Sequence, residues 1–125
     1  MMKSEELVKF NGECADPQII WDEACKAGVA AVDAFTAKHG EPMYCGFGSV
    51  NIYPARGHFV KFLKQNEIGR NGYPKGWSFS YYAVMPKDHP FRHTQSLDIK
   101  EECVNAVANV LQSFGLKAYG VGRAD

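Results

Sequence analysis

The eleven residues from Met43 to Tyr53, MYCGFGSVNIY, limit the possible folds more than any other stretch of the chain. They are rich in aromatic and β-branched types and lie between Pro42 and Pro54. Neither proline nitrogen can donate to a ladder, so the segment reads as one strand closed at both ends. Side chains alternate along a strand. Tyr44, Gly46, Gly48, Val50 and Ile52 fall on one face, and Met43, Cys45, Phe47, Ser49, Asn51 and Tyr53 on the other. Two glycines on one face leave a trough that a helix, or a ligand, can approach closely. Helix packing is the ordinary use of such a surface in a two-layer domain.

The remaining chain supplies those helices. Asp16-Pro17 is a helix start, a capping side chain followed by proline at the first helical position. Trp21, Cys25, Gly28, Val32 and Phe35 then recur at three- and four-residue steps until Gly40 stops the helix. Its alanines and Gly28 make it thin enough to lie against the glycine trough. After Pro54, Phe59, Phe62 and Leu63 mark a short helix from Gly57 to Gln65. Residues 66–76 hold three glycines and a proline and read as a loop. Trp77 to Met85 alternates as a second strand, and residues 86–95 form another loop. A helix from Leu97 to Phe114 is capped by Ser96 or Asp98. It buries Ile99, Cys103, Val107, Val110 and Phe114, turns Lys100, Glu101 and Glu102 to water, and ends at Gly115. Leu116 to Val121 is a third strand. The expected architecture is a single α+β domain over residues 1–125, a two-layer sandwich in which two long helices cover one face of a three-stranded sheet. A helical crossover joins the last two strands, so the sheet is expected to be mixed. Residues 1–15 are polar and acidic and form a loosely packed arm.

Length and composition bound the function. The chain of 125 residues is long enough for a real core and contains no apolar run long enough to span a bilayer. MMKSEELVKF lacks the apolar centre of a signal peptide, so a soluble, cytoplasmic protein with no membrane partner is expected. Cys14, Cys25, Cys45 and Cys103 form no C-x-x-C pair and read as buried, reduced thiols. The formal net charge is zero, which argues against a general nucleic-acid binder. The charge is nevertheless uneven. Residues 1–25 carry two lysines against six carboxylates, and residues 55–75 carry five cations against Glu67 alone.

Arg56, His58 and Lys61, with Lys64, sit where the short helix begins, and backbone N–H groups at a helix start beside an arginine bind anions. The same cluster also reads as a solvated basic face. Arg123 and Asp125, near the end of the last strand, pair with each other, clamp another chain or belong to a frayed tail. Cys45 lies mid-strand, where a packing thiol is commoner than a nucleophile. His89 and His93 have the four-residue spacing of a metal pair, but Pro86 and Pro90 oppose a helix there. Asp98, Glu101 and Glu102 are explained as acids opposing the helix dipole. Gly46-x-Gly48 lacks the third glycine of a dinucleotide site, and no other cofactor motif is present, so no cofactor is expected. Phe47, Trp77, Phe79 and Tyr81 are the expected interface group. If the first two strands are neighbours, these residues can share the face that the long helices leave open, and tryptophan and tyrosine are frequent interface anchors.

Cys45-Gly46-Phe47, Val50-Asn51-Ile52 before Pro54, Gln95-Ser96, Lys100-Glu101 and the closing Arg123-x-Asp125 resemble a family of small proteins encoded by phages and prophages. The resemblance spans roughly residues 43–125. It implies a small phage-type accessory protein that binds a host factor, and it carries over no activity, cofactor or catalytic residue. Together these features lead to the expectation of a non-enzymatic protein that binds a protein partner or pairs with a second copy as a homodimer. The alternative is a small binder or enzyme of a phosphorylated or nucleotide ligand, held by Arg56, His58 and Arg123.

Overall fold

The computed structural model describes residues 8–10, 13–72 and 75–125. Residues 1–7 of the expected arm and the side chain of Cys14 lie outside the described residues. A short antiparallel hairpin, β1 (Val8–Phe10) and β2 (Glu13–Ala15), leads into α1 (Pro17–His39). Helix α1 starts as its sequence requires: Asp16 accepts from the Gln18 N–H at 2.8 Å, and Pro17 occupies the first turn. There follow β3 (Gly46–Ile52), α2 (His58–Gln65), β4 (Arg70–Asn71), β5 (Trp77–Ser80), the single turn α3 (Tyr81–Val84), α4 (Leu97–Ser113) and β6 (Ala118–Ala124). The Ser96 hydroxyl caps α4 by accepting from the Ile99 N–H. Gly115 closes α4 at φ 87°, with Gly115 N–H on the Gln112 carbonyl and Leu116 N–H on the Leu111 carbonyl. That bond pair is the Schellman motif, which requires a left-handed residue after the last turn.

The sheet has four strands in the order β4-β5-β3-β6, and all its pairings are antiparallel. This corrects the expectation of a three-stranded mixed sheet. The strands joined by the α4 crossover, β5 and β6, are not neighbours, because β3 lies between them and runs against both. From β3 onward the chain is therefore two interleaved β-α-β units, a split βαβ arrangement. The fourth strand, β4, is two residues long and lies within the segment expected to be loop. The strand expected from Trp77 to Met85 ends at Ser80, where α3 turns Tyr81 into the core.

All helices contribute to one core on one face of the sheet. Ile20 and Val32 of α1, Phe59 and Leu63 of α2, and Val104 and Leu111 of α4 pack with Val50 and Phe79 in a single cluster. The glycine trough is filled by α4 rather than α1. A Cβ at Gly48 would sit 2.8 Å from Lys100 Cβ, and one at Gly46 would sit 2.9 Å from Leu97 Cβ. Across the register, Gly122 faces the Glu101 side chain and Gly120 faces Asn105, so glycines of both strands let α4 lie directly on the sheet. Helix α1 stacks against α4 instead, with Gly28 beside Val107, Val84 and Cys103. Its Trp21 meets Phe79 edge-on at 5.1 Å between ring centroids. Among the described residues no helix is long and apolar enough to cross a membrane.

Candidate functional site

Because every described helix lies on one side, no helix among the described residues covers the other side of the sheet. Register fixes what it displays. Gly46, Gly48, Val50 and Ile52 point to the helices, so Phe47, Ser49 and Asn51 point away. Their partners in β6 are Arg123, Val121 and Tyr119, and Ser49 and Asn51 pair on the other side with Ser80 and Ser78 of β5. Arg70 of β4 lies opposite Ser78 and completes the row. The loop before β5 and the α3 turn raise Lys75 and Tyr82 at the rims. The result is a concave trough of about 1010 Å3 with a floor of serines, an asparagine and small side chains.

The charges around this trough are one-sided. Arg70, Lys75, Lys100 and Arg123 line it, and among the described residues no carboxylate does. Lys100 is the unusual member, at 2 % exposure although it carries a cation. Strand β5 ends opposite Ser49, which leaves the Gly46 carbonyl without a strand partner. The Lys100 ammonium donates to that carbonyl at 2.8 Å. It also lies 5.5 Å from the Phe47 ring centre and 5.3 Å from that of Tyr82, within cation–π range of both. No carboxylate pairs with it; the ion pair found among the described residues joins His89 and Asp33. An ammonium has three donors, and burying one without a counter-charge is costly. An anion in the trough would supply the missing charge.

At the other end, the Tyr119 hydroxyl accepts from the Asn51 side-chain amide at 3.0 Å, which ties its ring across the sheet. Lys75 sits 4.6 Å from the Tyr53 ring centre beyond it. Phe47 and Tyr119 remain 57 % and 50 % exposed.

Of the residues singled out from sequence, Arg123 and Phe47 lie in this trough, and Phe79 and Tyr81, although buried, also border it. Arg56, His58 and Lys61 are exposed around the start of α2, outside the trough lining that holds Arg123. The expected interface group divides. The pairing of Val50 with Phe79 and Ile52 with Trp77 turns both aromatics toward the helices, away from Phe47. Phe79 and Tyr81 are 2 % and 1 % exposed, and the Tyr81 hydroxyl donates to the Phe91 carbonyl at 2.6 Å. Trp77 donates to the Ile68 carbonyl at 2.9 Å beneath Lys64. These three residues hold the fold together and do not form an exposed interface.

Lys100 was expected to face water and does not. The readable signal was its spacing: Lys100, Val104, Val107 and Leu111 form one helical stripe, which places the lysine on the buried side. Arg70, Lys75 and Tyr119 carried no comparable sequence signal. Cys25, Cys45 and Cys103 are free thiols, and Cys45 is exposed rather than buried. Burial pushes the Cys103 thiol up to about 12, with Cys25 adding to the effect; burial and then Asp22 push Cys25 up to about 12. Burial likewise raises the Tyr81 hydroxyl, and nearby Cys103 adds to the rise. Among the described residues no group of three His, Cys, Asp or Glu side chains forms a metal site.

Comparison with protein-family models, curated proteins and solved structures gives no match.

Proposed function

We propose that this protein is a non-enzymatic binding protein whose ligand is an anion seated in the trough on the open sheet face. The observation that carries this reading is Lys100, a cation 2 % exposed at the head of a trough where, among the described residues, four cations and no carboxylate form the lining and no carboxylate pairs with it. This favours a phosphorylated or nucleotide ligand, and it moves the anion site from the Arg56 region to the far side of the sheet. The phage-type resemblance suggests the setting, an accessory protein that acts by capturing such a ligand or a factor that carries one. The test compares two arginines by calorimetry with inorganic triphosphate as titrant. Arg123→Ala should weaken binding by about 1.5–3 kcal/mol, the scale of a hydrogen bond to a charged group, and Arg56→Ala should leave it unchanged. The reverse ranking would return the site to the start of α2.

A second reading, pairing with another copy of the chain, is favoured by the free edge of β6. The Asp125 N–H donates to the Cys45 carbonyl and the Tyr53 N–H to the Lys117 carbonyl. By the two-residue alternation of an antiparallel ladder, residues 119, 121 and 123 also bond to β3, so the backbone groups of Gly120, Gly122 and Ala124 point outward. An open edge of this kind is a template for another strand. A dimer would form there rather than through Trp77 and Phe79, which are committed to the core and its margin. Sedimentation at tens of micromolar, with and without an Ala124→Pro substitution, separates monomer from edge-paired dimer.

A further inference from the structure

Phosphate alone does not account for the trough, because its cations are interleaved with exposed rings. The lining divides into two similar ends. At one, Lys100 and Arg123 accompany Phe47 and Tyr82; at the other, Arg70 and Lys75 accompany Tyr119. Phe47 and Asn51 are four residues apart on β3, and their partners Arg123 and Tyr119 are four apart on β6. Strand rise therefore separates the two ends by about 13 Å. Between them Ser49, Ser80 and Val121 make a low floor. A single phosphate or a mononucleotide would occupy one end and leave the other cation pair unanswered.

We infer that the trough binds a single-stranded nucleic acid of at least three linked nucleotides, an inference that rests on the anion reading above. One base stacks on Phe47 with a phosphate at Lys100 and Arg123. A second base stacks on Tyr119 with a phosphate at Arg70 and Lys75. The backbone between them crosses the serine floor, whose hydroxyls donate to phosphate oxygens. A four-stranded sheet face with exposed rings, here Phe47 on the central β3 and Tyr119 on the edge strand β6, takes roughly two or three stacked bases in this way. Stacking is tolerant of base identity because every base has a π-face, so the preference is for single strands rather than for one sequence. A duplex does not fit, since its bases are already stacked and cannot reach the rings. Zero net charge is no obstacle to a short contact. Four of the chain's 14 lysines and arginines line the trough, and among the described residues no carboxylate does, so the local field is positive.

The test is fluorescence anisotropy with the intact protein and labelled eight-nucleotide oligo-U and oligo-dT, followed by competition with UMP, inorganic triphosphate, a duplex of equal length and oligo-glutamate. The expected result is saturable binding of at least one single strand, with UMP and the duplex each at least tenfold weaker. Raising salt from 50 to 200 mM should weaken binding by roughly 7- to 50-fold, the slope for two to four neutralised phosphates on a single strand. Phe47→Ala and Tyr119→Ala, both at exposed rings, should each weaken strand binding tenfold or more. Three results would overturn the inference. If UMP competes as well as the oligonucleotide, the ligand is a free nucleotide. If oligo-glutamate competes as well, the trough reads charge alone. If triphosphate binds and neither strand does, the anion reading survives without the nucleic acid. Failure of every anion to bind would remove both readings together.

Discussion

Gly48 and Gly122 face each other across β3 and β6 and point the same way, yet adding a methyl group to each should have opposite consequences. At Gly48 the new Cβ would lie 2.8 Å from Lys100 Cβ and 3.2 Å from the Lys100 backbone carbon and oxygen. None of these atoms can rotate away, so α4 must lift off the sheet by a fraction of an ångström. Overpacking of this kind costs about 1–3 kcal/mol. Removing a glycine from the unfolded chain offsets about 0.4–1 kcal/mol of that. The net destabilisation for Gly48→Ala is then about 1–2 kcal/mol. At Gly122 the nearest atoms all belong to the Glu101 side chain, whose carboxyl end can swing toward water. Neither glycine has a left-handed backbone, so strain does not enter. Gly122→Ala should therefore be neutral or stabilising by up to about 0.5 kcal/mol. The assay is urea unfolding followed by tryptophan fluorescence. With a slope of roughly 1–3 kcal/mol per molar, Gly48→Ala should lower the midpoint by roughly 0.3–2 M, and Gly122→Ala should not lower it. Equal losses at both positions, or the larger loss at Gly122, would refute the claim that α4 rests on β3 through the Lys100 backbone.

Other outcomes follow from the same contacts. Lys100→Met removes a buried cation that lacks a counter-charge and keeps the volume of its stem. Its urea midpoint should hold or rise while triphosphate binding falls at least tenfold; a midpoint drop larger than that of Gly48→Ala would mean the ammonium is needed for folding. The thiols should report burial and its pH consequence. Cys45 should react fastest with a maleimide in the native protein, half-buried Cys25 more slowly, and buried Cys103 only after unfolding, as read by mass spectrometry. The buried thiols stay protonated up to about 12, whereas unfolded thiols ionise near 9.0, so the unfolded state binds fewer protons between those values. Stability contributed by these two groups is complete below pH 9 and is lost as pH rises toward 12, and replacing both with alanine should flatten the alkaline limb of a midpoint-against-pH curve.

How much was legible depends on how local the signal is. Helix α1 was readable to its caps, because Asp16, Pro17 and Gly40 act on the backbone beside them. The centre of β3 was readable from alternation and flanking prolines. Its glycine trough was correctly read as a helix seat, but the helix that occupies it is α4. Either long helix had a suitable stripe, and only the crossover path decides which one reaches β3. The two-residue β4 had no pattern to read, since its pairing with β5 supplies its order.

The candidate site shows the same division. Sequence by itself determined the amphipathic helices, the central strand and the alternation that separates Phe47 from Val50, because each depends on neighbours a few residues away. Tertiary structure alone decided which strands lie beside β3, and so which face Trp77 and Phe79 occupy, since one step of register exchanges the two faces. It also decided that cations from residues 70, 75, 100 and 123 converge on one trough. These charges are scattered over more than fifty positions, and only strand order and the early end of β5 bring them together around Lys100.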